Sequence, residues 1–389
     1  MTACSASRTT TTPSTTSGAA PHTSATSKAS DCRCDAVVTN ERPDLCGPLS
    51  FLPYHPRMKN SLEFDTPAQA DAWTRLWRRG VLHSCATAIA GNYDGAIARF
   101  WGDLFQSLNS GDQVIDLATG NGALALLAAQ YGKQNGIALD IHGVDLADID
   151  PVRDVITIDP LSMDIHFHPR TSISKLPFRD NSANLLCSQY GFEYNANEST
   201  AAELVRVLAR DGCIGLILHS DDSVVAHTAP IQLDAIDYLL NSSLFDNIRA
   251  MAGLLAEHAT PAARRALADN PAAERVRLAF NHTVHSLMDR LDQTPKAHVL
   301  TQSAQQIAYI LHMAQHADHA GIDARIADWR DGLEAEYERL HDLQQALLSV
   351  ERLNIIASWF RQRGLVVETT PITQAEGIRM GWSLTARYG

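Results

Sequence analysis

The chain has 389 residues, 45% hydrophobic and 20% charged, enough material for a large core and for more than one structural unit. Its 32 Lys and Arg stand against 44 Asp and Glu, a formal net charge of −12. That field repels phosphate backbones and anionic membranes and disfavours both as partners. No apolar run approaches the roughly 18 residues that a spanning helix needs, and no charged stretch leads into an apolar one as in a secretory signal, so a soluble cytoplasmic protein is expected.

From Met1 to Ser30 the chain is dominated by Ser and Thr, with only Arg8 and Lys28 basic and no acid before Asp31. Residues 1–60 are expected as a disordered tail, a composition that an organellar transit peptide shares in part. Cys32, Cys34 and Cys46 lack zinc spacing, and Cys85, Cys187 and Cys213 sit singly in apolar segments as reduced core residues. No metal site is expected. Between Thr66 and Leu108 the apolar residues Trp73, Leu76 and Trp77, then Ile97, Phe100, Trp101, Leu104 and Phe105, recur at helical spacing. Two helices are predicted there, within an N-terminal cap over residues 61–110. The Gly-rich link between them, with His83 and Tyr93, reads either as a cap over a ligand or as a plain connection.

Asp112 to Leu117 reads as a strand, followed at once by Ala118-Thr119-Gly120-Asn121-Gly122 and a helical run from Ala123 to Tyr131. Strand, glycine-rich turn and helix bring backbone N–H groups and a helix N-terminus towards a polar or anionic ligand. A second strand from Asp140 ends at Val144-Asp145-Leu146, and a carboxylate there suits a pair of ribose hydroxyls. These glycines also satisfy a dinucleotide fingerprint, which keeps an NAD(P)-dependent oxidoreductase open. Further on, Leu176-Pro177-Phe178 opens a turn into a strand that ends in Gln189-Tyr190-Gly191-Phe192-Glu193-Tyr194.

With Asp116, Gly120 and Gly122 in place and Ala118 where Gly is commoner, the sequence resembles the class I S-adenosylmethionine-dependent methyltransferases, and in its core motifs the ubiquinone/menaquinone-type members. The resemblance spans roughly residues 70–222 and 343–389. It implies an α/β, Rossmann-like, doubly wound seven-stranded sheet with a C-terminal antiparallel strand, its core at 111–222 and its last helix and strand pair at 343–389. It implies S-adenosylmethionine held by Asp116, Ala118, Gly120, Gly122, Asp145, Leu146, Ser172, Ile173, Gln189 and Gly191. Ser172 stands where many relatives carry an Asp that contacts adenine. The reaction so implied moves a methyl group to a small-molecule oxygen or nitrogen. Tyr190, Glu193, Tyr194 and His219 lie near strand ends, and Glu193 and His219 are the candidate bases. A non-catalytic scaffold of the same fold is a further alternative.

Residues 223–342 read as an all-helical insertion after the fifth strand, with Asn270-Pro271 as one helix start. Ile326, Trp329, Leu333, Leu340, Leu343, Leu347 and Val350 follow coiled-coil steps, predicting one long helix that runs into the last helix of the core. A lid over the acceptor pocket is expected, with a homodimer interface as the other use. His312, His316 and His319 share a helical face, read as solvated histidines in preference to a chelate.

Overall fold

The computed structural model describes residues 67–84, 91–155, 159–267, 269–374 and 377–389. The Ser/Thr-rich tail to residue 60 and Cys32, Cys34, Cys46 and Cys85 lie outside them. Two helices precede the sheet, α1 (Pro67–Trp77) and α2 (Gly95–Phe105). The core then runs β1 (Gln113–Leu117), α3 (Ala123–Asn135), β2 (Asp140–Val144), the short α4 (Pro151–Asp154), β3 (His166–His168), β4 (Ala183–Gln189), α5 (Glu198–Val207) and β5 (Leu208–Leu218). Six helices follow: α6 (Val224–Asn241), α7 (Leu244–Glu257), α8 (Pro261–Arg265), α9 (Pro271–Gln293), α10 (His298–Met313) and α11 (His319–Ala346). The chain returns through α12 (Val350–Arg361), β6 (Leu365–Thr373) and β7 (Arg379–Tyr388).

The seven strands lie in the order β3-β2-β1-β4-β5-β7-β6, with β7 antiparallel to both of its neighbours. This is a Rossmann-like α/β sheet. Its order reverses between β1 and β4, and the carboxyl ends of strands at such a switch point form the crevice where open α/β sheets bind ligands. β4 and β5 read as near-continuous apolar runs because helices cover both faces. On one face Leu117, Leu186 and Ile214 pack with Leu204 of α5 and Phe360 of α12. On the other, Val114, Leu185 and Ile217 meet Trp101 and Phe105 of α2 and Leu124 of α3. β3 has no apolar alternation to announce it: its three residues, His166, Phe167 and His168, form an edge whose first side chain is exposed.

The insertion has its own apolar core, in which Ile236 and Leu240 of α6, Ile248 of α7 and Leu300 of α10 surround Ile326, Leu333 and Leu343 of α11. Asn270 caps α9 as its sequence predicts, accepting from the N–H of Ala272 at 2.9 Å. The long helix does not continue into the last helix of the core. After Ala346 the chain straightens, and Leu348, fully buried, pairs as a bridge with Ser220 at the end of β5. Its N–H donates to the His219 carbonyl at 3.1 Å, and Asp221 N–H donates to the Leu348 carbonyl at 3.2 Å. Ser349 then starts α12 afresh by accepting from Arg352 N–H at 3.3 Å. Two backbone bonds and a buried leucine outweigh the heptad, which leaves Val350 half exposed and moves the boundary from 343 to about 348. Ser349→Ala is expected to cost about 1 kcal/mol, the usual loss for a helix cap, read as a lower midpoint in urea unfolding.

The three insertion histidines do not share one helical face, though the rings of His312 and His316 meet edge-on at 6.3 Å. His312 ends α10 while His319 opens α11 behind its own cap, Asp318, with its Nε2 3.4 Å from Glu257. Among the described residues no group of three or more side chains is placed to hold a metal ion. No described helix is long and apolar enough to cross a membrane.

Candidate functional site

At the C-terminal end of β1 the chain turns through three residues of positive φ, Ala118 (+53°), Gly120 (+55°) and Gly122 (+84°), before α3 begins. An L residue in this conformation costs about 1–2 kcal/mol, so Ala118 is held by its surroundings. Across from it lies Gly191, where an added Cβ would stand 2.5 Å from the Ala118 Cβ and 3.0 Å from Ser188 Oγ. One small side chain fits between β1 and the loop after β4; two do not. Gly191→Ala is expected to lower stability by about 1–3 kcal/mol through overpacking. Adding Ala118→Gly should return most of that loss, and two additive losses in chemical unfolding would refute the contact.

Two carboxylates flank the turn. Asp116, 2% exposed, accepts at Oδ2 from Thr119 Oγ1 at 2.5 Å and from Ala125 N–H at 3.1 Å. Asp145 accepts at Oδ2 from Gly120 N–H and at Oδ1 from Ala147 N–H, both at 2.8 Å. Burial pushes Asp116 up to about 7, with the Asp145 charge adding to the effect, and pushes Asp145 up to about 6. Both acids therefore hold their protons to higher pH than an exposed carboxyl does, a shift that a nearby cation would reverse.

Above these acids opens a cavity of about 860 Å³, open solvent at its mouth included. Of the ten residues that the family resemblance assigns to the cofactor, Asp116, Ala118, Asp145, Leu146, Ile173, Gln189 and Gly191 line it. Gly120 and Gly122 do not: the Trp77 ring covers the first, 2.5 Å from where a Cβ would be, and the Phe167 ring covers the second. They shape the turn from behind. Ser172 also lies off the wall, its hydroxyl 2.7 Å from that of Ser174, while its neighbours Thr171 and Ile173 face the cavity. Gln189 is held by its Oε1, which accepts from Trp101 Nε1 at 2.7 Å, and its Nε2 is buried without a partner.

Glu193 and His219 meet each other instead of the cavity. Glu193 Oε1 accepts from His219 N–H at 2.8 Å and lies 2.7 Å from His219 Nδ1, and the two side chains are 0% and 4% exposed. Tyr190, which does line the cavity, stacks on His219 with ring centroids 4.2 Å apart. The pair braces the end of β5 against the loop after β4.

The opposite wall comes from α1 and the link behind it. Trp73 and Trp77 stack at 5.8 Å, and Trp73 meets the Tyr194 ring edge-on at 5.4 Å. The spacing of Trp73 and Trp77 marks a helix, but only the fold shows that their face closes a pocket. His83 and Tyr93, in the link read as a cap or a connection, both line the cavity. Among the residues that line it none belongs to the helical insertion. The insertion acts one layer back, where α11 packs along α1 and Glu338 pairs with Arg75 at 3.1 Å.

Residues 115–216 match the family model of a methyltransferase domain. The match begins in β1 and ends in β5, so the domain model takes in the turn, both acids and Gly191. Among solved structures the chain is similar to one in the complex between the Haloferax volcanii Trm112 methyltransferase activator and a putative methyltransferase, at 23% identity and a TM-score of 0.28, over 34% of this chain and 55% of that one. It is similar to geranyl diphosphate C-methyltransferase from Streptomyces coelicolor at 16% identity and a TM-score of 0.30, over 40% and 67%. To the citrinin polyketide synthase CMeT domain it is similar at 13% identity and a TM-score of 0.34, over 72% and 48%. The chain thus spans about half the length of the first and third. No curated protein matches it.

Proposed function

We propose that the chain transfers a methyl group from S-adenosylmethionine to an oxygen or nitrogen of a small-molecule acceptor. One observation carries the reading: two buried carboxylates flank a positive-φ turn at the switch point of a methyltransferase-domain sheet, and no Lys or Arg stands among the described residues of the cavity wall. Such a pair favours a cationic ligand. Asp145 would take the ribose hydroxyls, Leu146 and Ile173 would hold the adenine between apolar surfaces, and Asp116 with Ala118 and Thr119 would face the amino-acid end. When bound, the sulfonium supplies an already activated methyl group, so the protein's own part is to align the acceptor, exclude water and take up a proton. The finer likeness to ubiquinone/menaquinone-type members belongs to this proposal and rests on the Leu176-Pro177-Phe178 turn.

Calorimetric titration with S-adenosylhomocysteine, with NAD and NADP in parallel, tests it. Micromolar binding of S-adenosylhomocysteine and none of the nicotinamides is expected; the reverse would replace a methyltransferase with an oxidoreductase. Asp145→Ala should weaken that binding by about 1–3 kcal/mol, the cost of leaving buried hydroxyls unpaired. Unchanged affinity would remove Asp145 from the ribose site.

A further inference from the structure

With Glu193 and His219 turned towards each other, the cavity wall holds among its described residues one histidine, His83. It is 2% exposed, and its Nε2 lies 2.9 Å from the Gly91 carbonyl oxygen. A carbonyl has no proton to give, so Nε2 carries the hydrogen and Nδ1 is left with its lone pair. That nitrogen is buried and has no partner among the described residues. The ring is fixed on its other side by Tyr93, stacked at 4.9 Å, and the loop is tied to α3 by Asn92 Nδ2, which donates to the Ala123 carbonyl at 2.8 Å. Burial holds the imidazole below its ordinary value, more than the bond to Gly91 raises it, so the ring stays neutral at pH 7. Two other wall residues, Trp77 and Gln189, bury N–H donors without partners, at Nε1 and Nε2. The residues of the wall thus include one buried ring nitrogen and two buried N–H groups that lack partners, and among its described residues no cation.

Resting on the methyl-transfer reading, we propose that His83 is the general base of the reaction and that the acceptor is an uncharged, planar or aromatic molecule bearing a hydroxyl or amine. The acceptor O–H or N–H bond breaks with its proton passing to Nδ1, which gives an imidazolium still bonded to Gly91. The freed pair on the acceptor atom forms its bond to the methyl carbon, while the methyl–sulfur bond breaks with its pair left on sulfur. The imidazolium returns the proton to water when product leaves. Anionic acceptors such as phosphates and carboxylates are disfavoured, since Asp116 and Asp145 lie in the same wall and no basic residue offsets them. The unpaired Nδ1 is itself part of the selectivity: a site with a buried acceptor rejects a ligand that lacks the matching donor.

The test uses the full chain and three single-ring aromatic probes: phenol, toluene and benzoate. In protein labelled with ¹⁵N-histidine, the His83 Nδ1 resonance is expected to move on adding phenol and to stay in place with toluene. Calorimetry, with and without S-adenosylhomocysteine, should show phenol bound about tenfold more tightly than toluene and benzoate not bound. His83→Phe should erase the preference for phenol while S-adenosylhomocysteine still binds. An Nδ1 signal indifferent to phenol, or a hydroxyl preference that survives in His83→Phe, overturns the role of His83; because the resonance is read in the unmutated protein, a misfolded variant does not spoil the result. Movement of Nδ1 with S-adenosylhomocysteine alone would assign the nitrogen to the cofactor and overturn it as base. Benzoate bound as tightly as phenol overturns the acceptor class. Failure of S-adenosylhomocysteine to bind the unmutated protein instead overturns the proposed function, a separate reading from the phenol arm.

Discussion

Gly120→Val is expected to abolish S-adenosylhomocysteine binding and to destabilise the folded chain by about 3 kcal/mol or more. Two independent costs meet at this position. Its φ of +55° suits glycine, and a β-branched side chain there pays well over the 1 kcal/mol that alanine would. The new Cβ would also lie 2.5 Å from the Trp77 ring, which is 7% exposed and packed on Ala147 and Ile149. Neither partner yields cheaply. The ring would have to leave, and with it the C-terminal end of α1, which walls the cavity. The substitution also displaces the Gly120 N–H that donates to Asp145. Gly120→Ala/Trp77→Ala should recover part of the stability without the binding, because it removes the clash but leaves the strained turn and opens the wall. Circular dichroism during unfolding and calorimetry of binding read the two effects separately. Full binding in Gly120→Val would show that the turn takes no part in the site.

The second large effect concerns pH. Asp116 and Asp145 bind protons more tightly in the folded chain, at about 7 and about 6, than in the unfolded chain, where they titrate near 3.9. Between these values the folded state carries more protons, so stability falls as pH rises from about 4 to about 7 and levels off above. Taken alone, each group would contribute on the order of 3 to 4 kcal/mol, with water entry reducing the sum. Partly buried, ion-paired carboxylates such as Glu203, lowered by the Arg206 guanidinium, work in the opposite direction. The comparison to make is therefore between the unmutated protein and Asp116→Asn, which should lose part of the decline between pH 5 and 8. Parallel curves for the two would mean that Asp116 does not titrate in this window. A ligand that brings an ammonium or sulfonium to this pair favours the ionised acids, so S-adenosylhomocysteine should bind more tightly at pH 8 than at pH 5.5.

Much of this site is local in origin, and its local part is legible. Strand, glycine-rich turn and helix at 113–135 follow from residues within one or two turns of each other, and so does the acid that ends β2. Their placement at a switch point follows from a strand order that the motif series implies. What packs against them from far along the chain is another matter. That Trp77 covers Gly120 and that Gly191 must be small because Ala118 is not glycine depend on contacts across the fold. The helical pattern at Trp73 and Trp77 gives a face but does not name what the face meets.

The same division separates the two candidate bases from the third. Glu193 and His219 stand near strand ends, as a base should, and only the register of β4 against β5 brings them into one buried hydrogen bond away from the cavity. His83 sits in a polar link with no periodicity, and nothing in its neighbours shows that Gly91 would fix its tautomer. In the heptad run from Ile326 to Val350 the sequence predicts continuity, and the tertiary bridge between Leu348 and Ser220 ends it. The sequence by itself determined the fold class, the turn and the acids, since these rest on spacing and backbone preference over short distances. The tertiary structure alone decided which side chains share the cavity, because a packed interior sets contacts between residues more than a hundred positions apart, to which no local pattern refers.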